Sequence, residues 1–140
     1  MKKIILILIT ILTLNIMATP LENISQKFSY IQHAANGGNA QAQFDLGLMY
    51  AKGEEIKKDE REAFSWFHKA ARNNNVEAKF YMGLSFAQGR GVRKEAHLAR
   101  YWFKLAVKAG HKQAIAYMAM VEKKSHAQYT KGERVSVNNY

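Results

Sequence analysis

A chain of 140 residues holds one domain at most, and 48% hydrophobic with 23% charged residues is enough apolar content for a core, which excludes wholesale disorder. The absence of cysteine excludes disulfides, thiol catalysis and thiolate zinc sites, along with the lipid anchor of a bacterial lipoprotein. A formal charge of +10 suits an acidic or polyanionic partner, or solubility alone, and says nothing of fold.

Lys2 and Lys3 precede an apolar run from Ile4 to Leu14, followed by the small residue Ala18. The run is shorter than the ~20 residues of a spanning helix, so residues 1–18 read as a secretory signal peptide cleaved after Ala18. An uncleaved N-terminal anchor is the alternative. Both place the remainder beyond the inner membrane, in the periplasm or outside the cell, and cleavage leaves no stable membrane insertion. Without Lys2 and Lys3, 19 basic residues face 11 acidic ones, a charge of +8.

One proline and no strand-like alternation point to helices throughout. Residues 19–38 form a capping half-repeat, with a helix over 21–36 whose apolar side carries Phe28, Tyr30, Ile31, Ala34 and Ala35. A turn through Gly37 and Gly38 ends it. Residues 39–74 then form a full repeat. Its helix A, from Ala40 to Lys52, sets Ala42, Leu46, Gly47 and Tyr50 on one side, and Gly53 terminates it. Asp59, with Glu62 three residues on, caps a helix B that turns Ala63, Trp66, Phe67 and Ala70 inward.

Residues 75–110 repeat this plan at a spacing of 36, giving Ala78, Met82, Gly83, Phe86, Gly89, Ala99, Trp102, Phe103 and Ala106. The recurrence of Gly47 as Gly83, at about 1 kcal/mol each against alanine in a helix, predicts close approach of a neighbouring helix. Residues 111–124 read as helix A of an incomplete third repeat, starting near Lys112 with Ala114, Met118 and Ala119 in the matching columns. Residues 125–140 are polar and without period, so they read as a mobile tail.

These columns resemble the Sel1-like repeat, a relative of the tetratricopeptide repeat. The first copy meets the pattern at Ala42, Leu46, Gly47, Tyr50, Gly53, Asp59, Ala63, Trp66, Phe67, Ala70 and Ala71. Departures are Glu55 and Ile56 in the first loop, Met82 and Phe86 for Leu and Tyr, Glu95 for Asp, and Val107 for the second Ala. The resemblance implies an all-α, right-handed α-solenoid of antiparallel helix pairs that binds other proteins. It also implies two narrower roles, an immunity-type inhibitor of a secreted toxin or a penicillin-binding, β-lactamase-like envelope enzyme. The disulfides of the cysteine-rich branch linked to the latter are absent here.

No nucleophile, metal-ligand or phosphate-loop motif occurs, so no catalytic site, metal or cofactor is expected. His33, His68, His97, His111 and His126 lack ligand spacing and are expected on the surface. Two binding surfaces remain. The free side of the A helices gathers Gln41, Asp45, Leu48 and Lys52, then Tyr81 and Leu84, then Tyr117 and Met120, in a groove for a peptide or protein. Packing is the competing role for the two leucines.

The last helix B carries a basic stripe of Arg93, His97, Arg100, Lys104 and Lys108, suited to an acidic protein or lipopolysaccharide, or else a solvated face. Nucleic acid is disfavoured by export. Without a following helix B, Ile115, Ala119 and Met120 need a cover, which the tail, a second copy in a homo-oligomer or the partner would supply.

Overall fold

The computed structural model describes residues 23–137, with side chains through Lys124 and at Ala127. The expected signal peptide lies outside the described residues. Within them there are six helices and no strand: α1 (residues 23–36), α2 (Ala40–Lys52), α3 (Glu60–Arg72), α4 (Val76–Gln88), α5 (Ala96–Lys108) and α6 (Ala114–Val137). From α2 onward each helix packs on the next in the chain, so antiparallel pairs stack into an α-solenoid.

The repeat unit is built by the same local chemistry each time. Asn39 and Asn75 cap α2 and α4 by accepting from the N–H of Ala42 and Ala78. Gly53 and Gly89 end these helices in the left-handed region, at φ 71° and 76°. The loop then folds under its own helix: the N–H of Asp59 donates to Tyr50 and that of Glu95 to Phe86, at 3.0 and 2.9 Å. Asp59 caps α3 by accepting from Arg61 and Glu62, whereas Glu95, one methylene longer, makes no cap bond and faces Arg93 and His97 instead.

The core runs through the stack as two clusters. Ala35, Leu46 and Trp66 join α1 to the first repeat, with Phe28 and Ile31 against them. A larger set, including Phe44, Phe67, Phe80, Met82, Phe86 and Phe103, fills the rest. Gly47 and Gly83 sit where helix B comes closest: a Cβ on Gly47 would lie 2.7 Å from the Phe67 ring, and one on Gly83 2.5 Å from the Phe103 ring.

Three expectations change. Tyr30, placed inward in the column of Trp66, is 76% exposed; Trp66 is covered by Leu46 of α2 and Ala35 of α1, while no described helix precedes α1 to cover Tyr30. The third helix A starts at Ala114 rather than Lys112, because His111 stands in the column of the asparagine caps and Ala114 bonds the His111 carbonyl instead. It also does not stop near Lys124. Ser125 occupies the column of Gly53 and Gly89, no left-handed turn forms, and Lys, Ala, Gln and Glu carry the helix to Val137.

Gly83→Ala tests the close approach. Helix propensity alone would stabilise the variant by about 1 kcal/mol, but the Phe103 ring is fully buried and cannot swing aside. A net loss of about 1–2 kcal/mol is expected from urea unfolding. Ala119→Gly, in the same column of exposed α6, should cost only the propensity, about 1 kcal/mol.

Candidate functional site

The A-helix candidates do not converge on one cleft. Gln41 and Asp45 are joined by a 2.9 Å hydrogen bond within α2, Gln41 donating to the Asp45 carboxylate. Leu48 and Lys52 line a small cleft with Lys27 and Glu55, whose 2.7 Å ion pair ties α1 to the first loop. Leu84 and Tyr81 line a narrow apolar cleft between α2, α3 and α4, whose lining also includes Glu60 and Arg90.

Tyr81 belongs as much to the packing as to the surface. Its ring meets Phe67 at 5.0 Å, Phe44 at 5.2 Å and Phe80 at 6.0 Å, which leaves it half-buried. Tyr117 has the same role in the next repeat, against Phe80 at 5.1 Å and Phe103 at 5.8 Å, while keeping its edge in solvent. Met120 and Ile115 are more than half exposed on α6.

The basic stripe is exposed along its whole length. At its start Glu95 lies 3.7 Å from Arg93 and 3.5 Å from His97. Among the described residues no ion pair involves Arg100, Lys104 or Lys108. Beside the stripe a groove of about 500 Å³ opens between α5 and α6, lined by His97, Arg100, Tyr101, Lys104, Met118 and Glu122. Tyr101, Met118 and Glu122 were not legible as site residues from motif or charge. Comparing Tyr101 with Ser65 and Glu122 with Phe86, 36 positions earlier, would have singled those two out, whereas Met118 repeats Met82.

His111 corrects the expectation that the histidines lie on the surface. Its side chain is only 8% exposed, stacked on Phe80 at 4.2 Å, with Nε2 3.2 Å from Glu77 and Nδ1 buried without a partner. The reason is its column. Asn75 occupies the same position one repeat earlier and donates to Gln41, just as His111 reaches Glu77. Gln43 is a second buried polar group that patterning missed: it donates to the Ala35 carbonyl at 3.0 Å and accepts from Asn73 at 2.9 Å, lacing α1, α2 and the end of α3. No cluster of His, Asp or Glu among the described residues could hold a metal, and no described helix is long and apolar enough to cross a membrane.

The Sel1 repeat profile matches residues 40–75 and 76–111, the two units that the caps and glycines mark out. The chain belongs to the Sel1 repeat family. Sel1 repeats are protein-interaction modules, typically scaffolds without catalysis. A Sel1 repeat protein of Oxalobacter formigenes is similar at 36% identity and a TM-score of 0.64, over 66% of this chain and 37% of that one. A protective antigen of uropathogenic Escherichia coli with an SLR fold shares 32% identity and a TM-score of 0.64, over 66% of this chain and 21% of that one.

Cysteine rich protein B of Helicobacter pylori shares 29% identity and a TM-score of 0.63, over 66% and 71% of the two chains. With no cysteine here, the likeness to it lies in the Sel1 repeats and not in disulfides. The chain thus spans well under half the length of the first two relatives. No curated protein matches it.

Within this Sel1 repeat array Gln43 is the internal tie most open to test. Gln43→Leu keeps the volume but leaves the Ala35 carbonyl and Asn73 amide short of a partner, so a loss of about 1–3 kcal/mol in urea unfolding is expected. An unchanged midpoint would show that water replaces both bonds.

Proposed function

We propose that the protein is exported and binds another protein without catalysing a reaction. One observation carries the reading: the pairs that set the helix spacing, Gly47 and Gly83, Ala63 and Ala99, Phe67 and Phe103, recur unchanged and are buried, while most exposed positions differ between the copies, as Glu54 and Arg90 or Ser65 and Tyr101 do. That division suits a scaffold whose repeated residues hold helices in register and whose variable surface meets a partner. Lys2, Lys3 and the apolar run to Leu14 support export, with cleavage after Ala18. The likeness to a protective antigen fits a protein outside the cytoplasm.

The specific version we favour is an immunity-type inhibitor, in which a surface of complementary charge covers the active site of a secreted toxin. The partner is then acidic, given the charge of +8 that remains after cleavage. The test is affinity capture from envelope extract with the exported protein as bait, washed at low and then high salt. One dominant protein surviving high salt is expected, and the bait should begin at Thr19. Recovery of salt-labile polyanions alone, or hydrolysis of a chromogenic β-lactam lost on a single substitution, would contradict the reading.

A further inference from the structure

The repeat assigns a neighbour to each groove. Between α3 and α4, the floor is made where Phe64 meets Phe86 edge-on at 5.5 Å, and α5 fills the space, setting Trp102 against His68 at 6.1 Å. Positions 61, 64, 65, 68, 82 and 86 recur 36 residues later as the six residues lining the open groove between α5 and α6. No described segment fills that groove. With Ser125 in place of a turning glycine, α6 runs on for another ~18 Å to Val137 instead of folding back over α5.

We propose that this groove docks an acidic amphipathic helix of another protein, in the place the second helix of a further repeat would take. This rests on the reading of the chain as a protein-binding module. The shape of the occupant comes from the repeat, and its charge from the columns. On the α5 side Phe64 becomes Arg100 and His68 becomes Lys104, so that wall gains two cations where Arg61 becomes His97, while on the α6 side Phe86 becomes Glu122 and Met118 keeps the apolar floor of Met82.

An incoming helix seats two apolar residues four apart on Met118 and Tyr101, as Leu98 and Trp102 are seated on the core one repeat earlier, and brings carboxylates to Arg100 and Lys104. Ala119 stands where Gly47 and Gly83 admit a phenylalanine ring, so the guest lies further from α6 than α5 does from α4. A second copy fits poorly, since two chains that each carry a net charge of +8 after cleavage repel one another and basic residues outnumber carboxylates 19 to 11. A polyanion without an apolar face leaves Met118 and Tyr101 uncovered.

The experiment is fluorescence anisotropy of the purified protein with labelled peptides as long as α5, 13 residues. One peptide carries Leu and Trp four apart with glutamates flanking them, a second replaces the glutamates by lysines, and a third scrambles the first. The first should bind at one to one and the other two should not. Arg100→Glu with Lys104→Glu, both exposed and so expected to keep native helicity by circular dichroism, should weaken the acidic peptide about tenfold and admit the lysine peptide.

Equal binding of the scrambled peptide would make the site a polyanion patch, and dimerisation abolished by the charge reversal would assign the groove to a second copy; both overturn the proposal, as does no binding. If the peptides fail while capture from extract still yields a partner indifferent to the reversal, only the docking site falls. If capture also yields nothing, the binding-module reading falls with it.

Discussion

The contact on which the structure depends is a phenylalanine ring laid against a bare helix backbone. Phe67 rests on Gly47 and Phe103 on Gly83, in each case closer than any side chain would permit. The glycine weakens its own helix by about 1 kcal/mol, and the ring it admits removes far more apolar surface from water. Once that distance is set, the rest of the pair follows. Ala63, Ala70 and their counterparts Ala99 and Ala106 line the same seam because only a small side chain fits between helices so close, and all four are buried.

Between pairs the joint is partly polar. Asn75 caps α4 and reaches back to α2, and His111 reaches back to Glu77 from the same column, so each A helix is tied to the one before it at its N-terminal end. Gln43 adds a buried tie at the first joint, where its successor is Lys79 and no such lacing is possible. The two joints are therefore chemically different although the helices superpose in plan. That difference runs on to the C-terminal end, where the wall facing the next position changes from Phe64 and Phe86 to Arg100 and Glu122.

Much of this is legible in the amino-acid sequence alone. The 36-residue period located α2 to α5 almost to the residue, because Gly53, Gly89 and the caps are local signals repeated in register. The close approach at Gly47 followed from the cost of glycine in a helix. What was not legible depends on neighbours. Tyr30 has the right column for burial but no described helix to bury it, and His111 looks like any surface histidine until Phe80 and Glu77 are seen to enclose it. The polar residues of α6 show no apolar period, yet nothing among them stops a helix, and continuation needs only the absence of a turn. The α5/α6 groove escaped because its residues come from two helices and its meaning lies in a comparison between repeats, not in any motif.

A double-mutant cycle between Gly83→Ala and Phe103→Leu tests the ring-on-glycine contact most directly. If the ring defines the helix separation, the alanine should be tolerated once the ring is gone. The two losses, read by urea unfolding, should then be non-additive by about 1 kcal/mol or more. Strict additivity would mean that α4 and α5 are held apart by something else, and the account of the repeat built on this contact would fail.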